Sequence, residues 1–197
     1  MTESIQIFLI ILAFAPIVSA LFFSYQTMRA GFSIWGSSSL QSRNIFWITK
    51  LITASSFLVT ALAAINVEIY TAIPLSMQDT VPLSQKVLAL VMLLGGNLIL
   101  ISAQSELSIF SRVGLPKGAH ALCTSGIYQW SRNPMYASLI FFFLACFLLN
   151  PNFFLGAILI MVFLIHLYII KAEEKYLLAY FGNEYTEYRK KSVSQFI

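Results

Sequence analysis

Two adjacent carboxylates, Glu173 and Glu174, interrupt the apolar C-terminal half of the chain, with Lys171 and Lys175 on either side. Charge beside hydrocarbon is costly and tends to mark a working site. On a helix the two side chains point about 100° apart, so one can face a cavity while the other faces the headgroups. A solvated stop-transfer cluster balanced by the two lysines gives the same pattern. His166 lies on roughly the same helical face as Glu174, about 12 Å away by rise per residue. It reads either as a further polar group of such a site or as a buried histidine hydrogen-bonded to a neighbouring helix.

A second polar stretch runs from Arg112 to Tyr136. Gly114, Gly118 and Gly126, with Pro116 and Pro134, predict an irregular loop that turns backbone amides and carbonyls toward a ligand. Tyr128, Trp130 and Tyr136 also suit an interfacial loop with aromatic anchors, and composition alone leaves both readings open. Cys123 and Cys146 are too few for a metal site or a disulfide framework and read as packing residues. No G-x-G-x-x-G occurs, and neither polar segment is long enough for a soluble nucleotide-binding fold.

The elements that must position these residues follow from composition. Of 197 residues 58% are apolar and 10% charged, against about 25% charged in an ordinary soluble domain, and the mean hydropathy is +0.80. Twelve basic and eight acidic side chains cannot clothe a soluble surface of 22.1 kDa. A disordered chain, a nucleic-acid module and almost any soluble enzyme are thereby excluded. An all-α integral membrane protein forming a single domain over 1–197 is expected, with membrane lipids as neighbours.

Crossing ~30 Å of hydrocarbon takes about 20 apolar residues. Five stretches qualify: 5–25, 45–69, 86–104, 135–149 and 153–170. The last two would be one overlong run but for Asn150-Pro151-Asn152, where Pro151 lacks an N–H and disfavours helix at Asn150, predicting a tight hairpin. Gly95, Gly96 and Asn97 predict close helix packing with a polar contact. After the acidic pair, Tyr176, Leu177, Tyr180, Phe181, Tyr185 and Tyr188 recur at helical spacing, predicting an amphipathic helix interrupted at Gly182. All Lys and Arg except Lys86 fall on one side of these spans. The N-terminus is therefore expected outside and the C-terminus in the cytoplasm. Met1-Thr2-Glu3-Ser4 is acidic rather than basic, so a cleavable signal is not expected.

The ordered set His120-x-Leu122-x-Thr124-x-Gly126-Ile127-Tyr128, Arg132-x-Pro134-x-Tyr136, Asn150-Pro151, Glu173-Glu174 and Phe181-Gly182-x-Glu184-Tyr185-x-Glu187-Tyr188 resembles the isoprenylcysteine carboxyl methyltransferases and the related phospholipid methyltransferases, over about 105–191. The resemblance implies a membrane-embedded methyltransferase using S-adenosylmethionine, with S-adenosylhomocysteine as product, no metal and no nucleic-acid partner. It implies a cytosolic cofactor region over about 112–136 and 166–191. His120, Ala121, Leu122, Cys123, Gly126, Tyr128, Arg132, Asn133, Pro134, Tyr136 and Glu173 would bind the cofactor. Glu174, Glu173 and Lys171 would form the catalytic set, and the tail of a lipid or lipidated substrate would enter laterally from the bilayer. The membrane would be the plasma or inner membrane in a prokaryote and the endoplasmic reticulum in a eukaryote.

Two departures stand out. The family usually has Arg-His-Pro where this chain has Arg132-Asn133-Pro134, and Asn cannot shuttle a proton. An Arg common a few residues before the acidic pair is replaced by Tyr168-Ile169-Ile170, leaving Lys171 as the expected nearby cation. The preferred acceptor is the carboxylate of a C-terminal isoprenylcysteine. A phospholipid amine, a small thiol, or a non-catalytic membrane scaffold are the alternatives.

Overall fold

A computed structural model of the chain describes residues 2–32, 47–48, 51–55, 58, 77, 80–108 and 121–193. Five α-helices are placed among them: α1 (Thr2–Arg29), α2 (Leu83–Leu107), α3 (Pro134–Leu149), α4 (Phe153–Phe181) and α5 (Asn183–Lys191), with a 3₁₀ turn at Gly126–Gln129 ahead of α3. No β-strand occurs among the described residues. Among the described residues three helices are long and apolar enough to cross a membrane, Ile7–Arg29, Leu83–Leu107 and Phe153–Phe181, and the apolar α3 is shorter. The expected span at 45–69 lies largely outside the described residues, of which 47–48, 51–55 and 58 are helical.

Large apolar side chains face outward from these helices. Leu21 is 67% exposed, Leu98 60% and Ile160 63%, a pattern that water would penalise and lipid does not. Packing holds the helices together inside. Leu9 of α1 meets Ala89 and Leu93 of α2 and Phe142, Ala145 and Leu149 of α3. On the other side of α3, Phe143 and Cys146 pack on Leu155, Leu159 and Val162 of α4. Cys146 is thus a packing residue, as its place within a span predicts.

The Gly95-Gly96-Asn97 stretch makes the close contact expected of it. A Cβ on Gly96 would meet the Phe142 ring at 2.8 Å and Phe141 Cβ at 3.1 Å, so glycine sets how near α2 and α3 approach. Asn97 answers a different problem. Pro16 lies inside α1 and has no N–H, so the carbonyl one turn earlier, that of Leu12, loses its helical donor. Asn97 Nδ2 donates to Leu12 O at 2.9 Å and to Leu93 O at 2.8 Å. An unsatisfied carbonyl in hydrocarbon costs several kcal/mol, and α2 supplies what Pro16 removes.

The predicted hairpin forms. Asn150 N still donates to Cys146 O, the chain turns at Pro151, and Asn152 caps α4 by accepting from Leu155 N at 3.0 Å. The helix that contains the expected span at 153–170 goes on through the acidic pair, α4 continuing unbroken for 29 residues to Phe181. At 1.5 Å per residue that is roughly 43 Å, longer than the ~30 Å hydrocarbon core. Ala172, Glu173, Glu174, Lys175, Leu177 and Leu178 are good helix formers and carry the rod into water. Gly182, at φ +55°, ends it, and the predicted amphipathic helix is divided between the end of α4 and α5.

Candidate functional site

The site lies where α4 leaves the apolar layer and meets the segment 121–136. Two elements place the acidic pair between partners on different sides. Tyr136, in the first turn of α3, donates its hydroxyl to Glu173 Oε1 at 2.9 Å. Arg132, just before that helix, donates Nε to Glu174 Oε1 at 2.9 Å, and both side chains are only 13% exposed. The angular offset of successive helical residues thus gives each carboxylate its own partner. Lys171 and Lys175 are exposed, and the cation beside Glu174 is Arg132, 42 residues earlier in sequence. Lys171, expected as the nearby cation of the catalytic set, is exposed, and the guanidinium that folding brings beside Glu174 is that of Arg132.

Arg132 also donates Nη1 to Ser192 Oγ at 3.0 Å, which ties the end of α5 to the loop. A second tie is the Tyr188 hydroxyl, donating to Tyr128 O at 2.7 Å. Burial pushes the Tyr188 phenol up to about 12, so it remains a donor throughout the neutral range. Between these ties Tyr185 is 1% exposed. Its hydroxyl has no hydrogen-bond partner among the described residues. Burial, then the nearby charge of Glu174, raises this phenol also, with Arg132 opposing. A buried hydroxyl left unbonded costs about 1–3 kcal/mol, and here it sits beside the Arg132–Glu174 pair.

The loop positions expected to bind a cofactor divide into four groups. His120 lies outside the described residues. Ala121 is exposed, and Leu122 and Cys123 are half-buried. Burial raises the Cys123 thiol, against hydrogen bonds from Ser125 and with the charge of Glu106, so it is a neutral thiol rather than a nucleophilic thiolate at neutral pH. Gly126, at φ +53°, opens the 3₁₀ turn, and the turn carries Tyr128 inward, where burial raises its phenol. Arg132, Asn133, Pro134 and Tyr136 form the start of α3. Pro134 takes the first helical position, where a missing N–H costs nothing. Asn133 is buried, its N–H bonded to Ser131 Oγ at 3.1 Å and its carbonyl accepting from Tyr136 and Ala137.

His166 is buried one layer deeper. Its Nδ1 donates to Val162 O at 2.7 Å, and its ring stands edge-on to Tyr136 at 5.7 Å and to Phe143 at 6.2 Å. It backs the tyrosine that holds Glu173. Residues not singled out from sequence complete the cluster. Ser192 binds Arg132. Glu106, in the last turn of α2, accepts from Ser125 Oγ at 2.7 Å. Its signal was present in the sequence, as a lone carboxylate at the end of an apolar span.

The assembled groups suit a ligand with separated charges. Glu173 and Glu174 attract a cation, Arg132 an anion, and the 121–129 backbone offers polar groups beside an aromatic wall. Residues 84–184 match the phospholipid methyltransferase family, just over half of the chain. The chain belongs to that family. The matched region runs from the start of α2 to the first turn of α5, and so contains Glu106, Arg132, Tyr136, Glu173 and Glu174. A 77-residue stretch is also 35% identical to protein-S-isoprenylcysteine O-methyltransferase of Saccharomyces cerevisiae, covering 36% of this chain. It covers 30% of that relative, so the chain spans under a third of the curated protein it matches.

Proposed function

We propose that this membrane methyltransferase transfers a methyl group from S-adenosylmethionine to a membrane-borne acceptor, and that its first acceptor is the carboxylate of a C-terminal isoprenylcysteine. The observation that carries the reading is the acidic pair. Glu173 and Glu174 stand where a rod too long for the bilayer emerges from it, held by Tyr136 and Arg132. This is where a charged, water-borne cofactor and a lipid-borne substrate can meet.

The residues present fit the cofactor. Its amino-acid end carries an ammonium for Glu173 or Glu174 and a carboxylate for Arg132. The unbonded Tyr185 hydroxyl and the turn at Gly126 add polar groups of the kind such a ligand needs. When bound, the cofactor supplies an electrophilic methyl carbon on a positively charged sulfur. The protein then has to align an acceptor with that carbon and exclude water. Attack by a carboxylate annihilates opposite charges, so an apolar surround favours it and no general base is required. Arg132 supplies, beside the acidic pair, the guanidinium that the stretch before it lacks. The name of the yeast relative supports a prenylated cysteine, and the apolar flanks of α3 and α4 suit a lipid tail entering from the side.

The family match favours a second acceptor, a phospholipid amine. That reaction releases a proton, and Glu173 or Glu174 would have to accept it. Five spans with the N-terminus outside and the C-terminus cytoplasmic remain part of the proposal, on the distribution of Lys and Arg.

The test is transfer of labelled methyl from S-adenosylmethionine to a panel of prenylcysteine, phosphatidylethanolamine and a small thiol. Base-labile label on the prenylcysteine is the expected result, and label only on amines would overturn the carboxylate assignment. A purified protein that millimolar S-adenosylhomocysteine does not stabilise against heat would be a non-catalytic scaffold instead.

A further inference from the structure

Glu106 stands where elementary electrostatics disfavours it. It occupies the last turn of α2, which contains no basic residue, so its charge faces the negative end of the helix dipole. Immediately after the helix, Ser108 adopts φ +49°, the one positive-φ residue other than glycine among those described. A strained backbone next to a misplaced charge asks for a compensating contact.

Two separate observations supply one. Ser125 Oγ donates to Glu106 Oε2 at 2.7 Å. A Cβ on Gly126 would run into the Glu106 carboxylate, and Gly126 is at φ +53°, so glycine is required there twice, for its backbone and for the room it leaves. The carboxylate therefore grips Ser125 and covers Gly126 at once, at the step where the extended chain enters the 3₁₀ turn. The grip passes inward. Tyr128 N donates to Ser125 O at 3.0 Å, and Tyr128 O in turn receives the Tyr188 hydroxyl from α5.

We infer that Glu106 is a positioning residue, pinning Ser125 and Gly126 so that the 121–129 segment is already shaped for the cofactor. The inference rests on the reading of this site as a cofactor site and adds a residue to it. Glu106 acts through Ser125 and Gly126, and no contact with the ligand is required of it. Pre-shaping a loop strengthens binding by removing the entropy of ordering it, and leaves the chemical step alone.

The experiment uses the full-length protein in lipid nanodiscs, with Glu106→Ala, Glu106→Gln, Ser125→Ala and the Glu106→Ala/Ser125→Ala double variant. Amide hydrogen exchange at Gly126–Tyr128 is measured without cofactor, and KM and kcat with S-adenosylmethionine. Glu106→Ala should speed exchange there about threefold and raise KM about threefold, the scale of one solvent-exposed hydrogen bond to a charged group, with kcat within about 1.5-fold. Glu106→Gln, which can still accept from Ser125, should recover most of both effects. The double variant should be no worse than Glu106→Ala, because both remove one contact. Unchanged exchange in Glu106→Ala would overturn the pinning. Faster exchange with unchanged KM would overturn its link to the cofactor, as would a fall in kcat instead of a rise in KM. A wild-type protein that binds neither S-adenosylmethionine nor S-adenosylhomocysteine would sink the methyltransferase reading and the cofactor link together. The exchange data would then still decide whether Glu106 pins the segment.

Discussion

The helices α3 and α4 end differently at their two ends. At the hairpin, polar side chains serve the backbone. Asn152 caps its own helix through a neighbour three residues on, and Pro151 O accepts from Met77 N at 2.8 Å. No residue of Asn150-Pro151-Asn152 is ionisable. At the opposite end the partners are charged and distant in sequence, Arg132 with Glu174 across 42 residues and Arg132 with Ser192 across 60. Both ends contain buried polar atoms without a bond among the described residues, those of Asn150 and of Tyr185, so burial of a polar group does not by itself mark function. What distinguishes the ends is that one joins ionisable groups from three elements, and only there does a charged ligand have something to compete for.

The contrast can be broken or sharpened by substitution. Glu174→Gln should lower turnover by about 10², the scale of losing one organised polar contact in a transition state, while the melting temperature stays close to wild type. Wild-type-like rates in that variant would leave the charged end without its assigned role. Asn97→Leu should destabilise by about 1–3 kcal/mol, because Leu12 O loses its donor in an apolar setting, and denaturation in detergent would measure it. Asn152→Ala should cost about 1 kcal/mol through the lost cap and leave kcat unchanged. A loss of turnover without a loss of stability would put function at the hairpin too. Lys171→Ala should change kcat less than about twofold, since its charge is exposed and has no fixed partner among the described residues. A large effect there would restore the lysine to the catalytic set.

Much of the fold was legible in the sequence because the bilayer reduces the problem to length and hydropathy. The apolar runs at α1, α2 and α4, the hairpin at Pro151 and the close packing at Gly96 follow from local rules. The helical spacing past residue 170 was legible too, and α4 runs on to Phe181 before the break at Gly182. Charge ends a span, not a helix, and Ala172 to Leu178 favour helix in water as well. Tyr128, Arg132, Tyr136, Glu173 and Glu174 were legible as candidates, though not who binds whom.

The sequence by itself determined that this is a helical membrane protein, where its chain turns, and which polar residues stand close enough to the apolar layer to matter. These follow from transfer free energies and backbone sterics, which act on residues near one another in the chain. Only the tertiary structure decided that Arg132 rather than Lys171 faces Glu174, that Tyr136 takes Glu173, that α5 is tied down through Tyr188 and Ser192, and that Glu106 meets Ser125. Those pairings depend on which helix faces pack together, and that is set by the sum of many weak contacts between segments far apart in sequence.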